Sequence, residues 1–217
     1  LRIAITGTHS VGKTTLTQAL SERFELPMIR EVARDVIKRA GYCTTTAYIQ
    51  NADLHTKQAI QEEIFLAQLR EENTFKKNGF VADRSIFDPI AYSVVYGISG
   101  DPLHKMIGSA ITHALGSYDL LVYIPPMFSP VCDGFRDTSE EIRIAVDECL
   151  TKYIEAFELV GGTVLIIESQ TVEERIEEVV AATRGLQIIM ACEEINNNCK
   201  KGEMNEQATI FDLARSD

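Results

Sequence analysis

Between an apolar run at residues 1–6 and a stretch of helix formers that begins at Lys13 stands the octapeptide Gly7-Thr8-His9-Ser10-Val11-Gly12-Lys13-Thr14. It fits the pattern G-x-x-x-x-G-K-[S/T] and lies between a strand-like run and a helix, where that pattern has a mechanism. Glycines let backbone N–H groups turn inward to form an anion-binding concavity, and the following helix adds the positive end of its dipole. The loop, Gly7, Thr8, His9, Ser10, Val11, Gly12, Lys13, Thr14 and Thr15, is therefore expected to cradle a nucleoside triphosphate. Lys13 is expected to reach the β- and γ-phosphates, the Thr14 hydroxyl to ligate Mg²⁺, and Thr15 to donate to the α-phosphate. His9 reads as a solvent-facing spacer. The loop alone fits a kinase, a GTPase switch or an ATP-driven machine equally well.

Further runs rich in Val, Ile and Leu fall at 27–31, 79–83, 119–124 and 163–168, and read as short buried strands. Helical stretches near 13–24, 54–77, 86–97, 101–115, 138–159 and 171–183 lie between them. The alternation predicts a parallel sheet with helices on both faces and ligand chemistry at the carboxyl ends of the strands. Within 54–77, Ile60, Ile64, Leu66, Ala67 and Leu69 are spaced like one core-facing side of a long helix. From Gly185 onward the pattern degrades into an Asn run, Lys-Lys-Gly and an acidic-apolar end, read as a terminal helix and tail.

The 217 residues, 45% hydrophobic and 24% charged, suit one enzyme-sized domain. A net charge of -11 disfavours loose binding to duplex DNA or an anionic membrane. Cys43, Cys132, Cys149, Cys192 and Cys199 form no CxxC pair and no metal-ligand spacing, which suits a reducing compartment. No run reaches the roughly 18 apolar residues of a membrane span, so a cytoplasmic protein without a membrane partner is expected.

The stretch GFVADRSIFDPIAY places Asp83, Arg84 and Ser85 at the carboxyl end of the third strand. An acid there can hold Mg²⁺ or take a proton from a substrate hydroxyl, and the arginine can clamp phosphoryl oxygens. A structural ion pair between them is the plainer reading.

Together GTHSVGKTTL, IREVAR, VADRSIFDPIAY and DGFR resemble the P-loop kinase family that includes the nicotinamide-riboside-kinase domain of bacterial NAD-regulator proteins and many bacterial and phage ATPase-like homologues. More distantly, Asp83-Arg84-Ser85 resembles an element of deoxynucleoside and thymidylate kinases. The resemblance implies a three-layer α/β P-loop NTPase fold with a parallel five-stranded sheet and a helical lid at about 126–147. The kinase domain would cover 1–184, and 185–217 a C-terminal helix and tail. The resemblance makes Asp83 the catalytic base or metal-associated acid, Arg84 a phosphate contact, and Glu31 a substrate-binding or base-assisting residue, with Arg30 or Arg34 in support. Asp88 is read as shaping the substrate site or capping the helix ahead of Pro89, Tyr92 and Tyr96 as lining the acceptor pocket or packing in the core, and helix-start decoration is the competing reading for Glu31, Arg34 and Asp35. Arg136 and Arg143 are implied as lid arginines, against surface pairing with Asp137, Glu140 or Asp147. The adenine would sit near 169–172, where no N-K-x-D element occurs, which favours ATP over GTP.

The expected activity is ATP- and Mg²⁺-dependent phosphoryl transfer to a small nucleoside- or nucleotide-like acceptor. Two other readings stay open. One is a kinase of hydroxymethylpyrimidine in phage DNA, using Lys38, Arg39, Lys57, Lys76 and Lys77, which the net charge disfavours. The other is a nucleotide-switched binding module with its partner surface after Gly185. A homodimer is compatible with the sequence and not required by it.

Overall fold

The structure, a computed structural model, describes residues 1–127 and 140–186. Five parallel strands form one sheet in the order β2-β3-β1-β4-β5: β1 Arg2–Thr6, β2 Met28–Ile29, β3 Phe80–Asp83, β4 Leu120–Tyr123 and β5 Val164–Ile166. The central strand β1 pairs with β3 and β4, so Ile5 stands beside Asp83 and Thr6 beside Tyr123. Ile3, Ala4, Ile5, Val81, Ala82, Leu121 and Val122 are buried, which explains apolar runs without alternation: both faces of the central strands are covered. The edge strand β5 departs from the buried-strand expectation, because Ile166 is 54% exposed there.

The helices are α1 Lys13–Phe24, α2 Val32–Arg39, α3 Thr45–Asn51, α4 Leu54–Phe75, α5 Asp88–Val95, α6 Asp101–Ser117 and α7 Glu140–Leu159. The α1 helix buries Lys13, Leu16, Thr17 and Leu20, the spacing of a single helical face. No separate helix is expected from the sequence over 45–51, yet α3 forms there. Its Thr44 cap accepts from the Ala47 N–H at 3.0 Å, and its Tyr48 packs with Val36, Ile37, Ile60 and Ile64 in a core of their own. The α4 helix starts at Asp53, whose carboxylate accepts from the Thr56 N–H at 2.7 Å. The expected apolar face of α4 is corrected at Leu66, which is 46% exposed. Polar Gln61, Gln68 and Glu72 are buried along α4 beside Ile60, Ile64 and Ala67.

Contacts divide the chain into Leu1–Glu178 and Val179–Asp217; of the second unit residues 179–186 are described, and they are helical. The stretch Asp133-Gly134-Phe135-Arg136, the cap candidates Thr138 and Ser139, Asp137, the thiols Cys132, Cys192 and Cys199, and the tail beyond residue 186 lie outside the described residues. Cys43 and Cys149 are free thiols. No helix among the described residues is long and apolar enough to cross a membrane.

Candidate active site

The loop after β1 turns through left-handed backbone at Gly7 (φ 143), Ser10 (φ 60) and Gly12 (φ 93). A Cβ at Gly7 would stand 2.5 Å from the Ile124 carbonyl, so glycine is needed both for the dihedral and for the close approach of β4. Lys13 is buried, and its ammonium donates to the carbonyls of Gly7 (2.9 Å) and Thr8. The Thr14 hydroxyl donates to Asp83 Oδ2 at 2.6 Å, joining the loop to the end of β3. Asp83 Oδ1 is buried with no hydrogen-bond partner among the described residues. An orphaned carboxylate oxygen beside a threonine hydroxyl suits a hard cation. Mg²⁺ characteristically takes one or two protein oxygens and completes its shell with phosphate and water. Among the described residues no group of three His, Cys, Asp or Glu could hold a metal by itself, which fits such a shared site.

One residue beyond Asp83 the chain turns sharply. Arg84 has φ 94, a left-handed conformation that costs a non-glycine residue about 1–3 kcal/mol and persists where the surroundings over-determine it. Its Nε donates to Glu31 Oε1 at 2.6 Å and its NH1 to Asp88 Oδ1 at 2.8 Å. Asp88 Oδ2 accepts from Thr6 Oγ1, the Ser85 N–H and Ser85 Oγ, each at 2.8 Å. Asp88 thus ties the turn to β1, and it lies inside α5 rather than capping that helix with its side chain. Burial alone would lower the Arg84 pKa, but Glu31, Tyr92, Asp88 and Asp83 outweigh it and hold the guanidinium well above its ordinary value. It remains a permanent cation, 5.4 Å from the centre of the Tyr92 ring.

Glu31 is the residue before α2, and its carboxylate makes no side-chain cap there. Instead it accepts from Arg84 and, through Oε2, from Arg34 Nε at 2.9 Å. It borders two spaces. One is a narrow pocket of about 60 Å³ whose walls include His9, Tyr48, Gln61, Arg84, Asp88, Tyr92 and Tyr96. The other is a groove that contains Thr14, Gln18, Arg30, Arg34, Lys38 and Asp83. Gln61 Nε2 donates to the Tyr48 hydroxyl at 3.2 Å, and burial pushes that phenol up to about 12, so it stays neutral.

The structure brings Glu31, Arg34, Asp88 and Tyr92 together at the pocket, and Thr14 and Asp83 together in the groove that Glu31 and Arg34 also line. His9 is only 4% exposed and lines the pocket, which corrects the spacer expectation: the loop turns this side chain inward. Arg143 is buried on α7 with NH1 3.3 Å from Glu140 Oε2. Of the expected basic strip, Lys38 and Arg39 share a groove with Asp35 and Glu71, so their charge is interleaved with acid.

Arg175 is absent from the sequence expectations. Buried, it donates from NH1 to the Val11 carbonyl at 2.8 Å and from Nε to the Ser169 carbonyl at 2.9 Å. Glu178 accepts from the Ser169 N–H at 2.9 Å and from its hydroxyl, and so fixes the same segment. The phosphate loop and the stretch read as the adenine site are therefore joined by one guanidinium, and burial draws its pKa below the usual value.

Sheet order, phosphate loop and facing pocket define the class: an α/β P-loop domain with a kinase-like fold. The chain belongs to the AAA-domain family whose sequence model matches residues 2–175. A search of curated protein sequences returns no match. Among solved structures, a deoxyadenosine kinase from M. mycoides with dCMP and dCDP bound is 14% identical, with a TM-score of 0.62 over 85% of this chain and 100% of that one. A NadR protein in complex with NR is 20% identical with a TM-score of 0.58, over 82% of this chain and 50% of the other. Shikimate kinase from Aquifex aeolicus is 16% identical with a TM-score of 0.50, over 85% and 97%. At these identities the likeness is one of fold.

Proposed function

We propose that the protein is an ATP-dependent phosphotransferase that moves the γ-phosphoryl group to a hydroxyl of a nucleoside-like acceptor. The position of Glu31 carries the reading: one carboxylate faces both the aromatic-lined pocket and the groove of Thr14 and Asp83. In this reading the acceptor ring enters beside Tyr92 as the pocket widens to admit it, with its hydroxyl toward Glu31 and Arg84. Glu31 orients the hydroxyl and takes its proton as oxygen bonds to the γ-phosphorus. The bond from that phosphorus to the β,γ-bridging oxygen breaks, and ADP leaves. Lys13 balances the charge spread over the moving group, Arg84 holds Glu31 in direction, and Arg143 is assigned a supporting place near the moving group. Thr14 and Asp83 would hold Mg²⁺, which when bound neutralises phosphate charge.

The charge of the pocket favours a hydroxyl over a phosphomonoester. Its arginines, Arg34 and Arg84, both bond Glu31, and Arg84 also bonds Asp88. A phosphate dianion placed there would meet two carboxylates whose arginines are already engaged, a like-charge contact that disfavours binding. The solved deoxyadenosine kinase holds dCMP and dCDP and the NadR protein holds NR, which supports the same acceptor class. A cytoplasmic setting, where ATP and magnesium are supplied, belongs to the reading.

The test is transfer of label from γ-labelled ATP to nucleosides, nucleoside monophosphates, nicotinamide riboside and hydroxymethyluracil-containing DNA. A labelled nucleoside-type product that disappears with Lys13→Ala supports the reading. Label on monophosphates or DNA alone, or ATP binding without any product, overturns it.

A further inference from the structure

The turn that carries Arg84 is held by Gln68, which lines the pocket, and by Tyr118 and Glu72, which do not. As the chain leaves β3 it frees two backbone groups from the sheet, and each finds a buried side chain: Gln68 Nε2 donates to the Arg84 carbonyl at 3.2 Å, and the Tyr118 hydroxyl accepts from the Ile86 N–H at 2.8 Å. Both side chains also donate to one atom, Glu72 Oε1, at 2.8 Å in each case. Glu72 Oε2 stands 2.6 Å from His113 Nε2. Glu72 is 0% exposed and does not line the pocket.

An ionised carboxylate only accepts hydrogen bonds, and that decides the polarity of the whole arrangement. Facing it, the Gln68 amide must present its NH₂, because the flipped amide would set its oxygen against both Glu72 and the Arg84 carbonyl. The Tyr118 hydroxyl must spend its proton on Glu72, which leaves its lone pair for the Ile86 N–H. Burial and the nearby Glu72 charge hold the Tyr118 phenol well above its usual pKa, so the proton is always there to give. Burying a carboxylate is costly unless it is fully bonded, and a fully bonded buried network fixes one geometry. Here the geometry fixed is that of a left-handed arginine.

We propose that Glu72 is a positioning residue for phosphoryl transfer: through Gln68 and Tyr118 it clamps the peptide groups on either side of Ser85, so that the Arg84 guanidinium is aimed at Glu31 and Asp88. Its catalytic consequence rests on the phosphotransfer reading; the positioning itself does not.

Arg84 Nε–H, bonded to Glu31, provides a probe that needs no acceptor: its ¹H–¹⁵N signal and its exchange with water. Glu72→Leu is expected to shift that signal and speed its exchange by about tenfold or more. Glu72→Gln can keep a carbonyl oxygen toward both donors and turn its amide to His113, and is expected to restore much of the protection. Tyr118→Phe and Gln68→Met, which each remove one clamp, are expected to act like Glu72→Leu and carry the test should Glu72→Leu fail to fold. Leu20→Ala, which opens the buried face of α1, lowers the melting temperature and leaves the Arg84 signal in place. With the acceptor returned by the labelling screen, the clamp variants lose kcat while KM for ATP holds. An unmoved Arg84 signal in folded Tyr118→Phe and Gln68→Met overturns the proposal. Altered signals in a protein that labels no acceptor uphold the clamp and remove only the phosphotransfer reading.

Discussion

Arg84 donates to Glu31 at 2.6 Å, joining the end of β3 to the start of α2 across 53 residues of chain. With Arg34 on its second oxygen, Glu31 is fixed in direction where the pocket and the groove of Thr14 and Asp83 both border it. A carboxylate so aimed can take a proton from an incoming hydroxyl, a task that contributes about 10²–10⁴-fold in rate. Glu31→Gln keeps the size and one acceptor oxygen but not the base. Turnover is expected to fall by about 10²-fold or more, with ATP affinity little changed. Steady-state kinetics together with ATP binding by calorimetry check it, and loss of ATP binding in place of turnover would move Glu31 to the nucleotide.

Asp83 faces the other way. Its Oδ2 takes the Thr14 hydroxyl and its Oδ1 has no hydrogen-bond partner among the described residues, which supports the metal-holding role proposed for it. Asp83→Asn is expected to raise the Mg²⁺ concentration needed for half-maximal activity by about 10- to 100-fold, the usual effect of disturbing groups around a metal. Activity titrated with Mg²⁺ at saturating ATP decides the point. An unchanged Mg²⁺ requirement with turnover abolished would make Asp83 the base instead.

How the two acids divide their work could not be read from DRS or IREVAR, because it depends on β2 lying next to β3 in the sheet. The phosphate loop and the strand ends were legible because mechanism requires glycines, lysine and acids at set places after apolar runs. The clamp on Arg84 was not. Gln68 and Glu72 look like surface residues by hydropathy, yet they lie on the buried side of α4, one turn apart. The signal was present in the helix itself: Ile60, Ile64 and Ala67 follow one stripe, Leu66 falls off it, and the polar residues adjoining that stripe are the buried ones. The α3 helix escaped because Thr45 and Thr46 are poor helix formers and its stability comes from the Thr44 cap and the burial of Tyr48. Arg175 escaped for another reason, since its partner Val11 is 164 residues away.

That distance makes Arg175 a test of how the nucleotide site is assembled. Its guanidinium holds the Val11 and Ser169 carbonyls together, and a Cβ on Gly12 would lie 3.0 Å from its NH1. Arg175→Met keeps the length of the side chain and removes both donors. Of the two charge-assisted hydrogen bonds lost, the one to Val11 bears on the phosphate loop, and its loss, roughly 1.5 kcal/mol, is expected to raise KM for ATP about tenfold. KM for the acceptor should hold. A variant in which both constants rise together would show that Arg175 supports the whole domain and not the nucleotide side alone.

The junction of β4 with α7 carries a dependence on pH. Asp147 accepts from the Tyr123 hydroxyl at 2.8 Å, and burial raises its pKa, with Tyr123 and Arg143 pulling it down and Glu148 adding to the rise. A carboxyl whose folded-state pKa lies above its unfolded value, about 3.9, binds its proton more tightly when folded. Ionisation therefore costs stability: the penalty is absent below the unfolded pKa, grows as pH rises through the window, and is full above the folded pKa. Asp147→Asn stands in for the protonated acid, and its carbonyl oxygen can still take the Tyr123 proton. It is expected to be more stable than the parent protein at neutral pH, with the advantage shrinking steadily as the medium is acidified toward the ordinary aspartate range. Urea midpoints measured across that span read the difference directly. An advantage that stays constant or widens in acid would mean that Asp147 is held ionised, with Arg143 and Tyr123 outweighing burial.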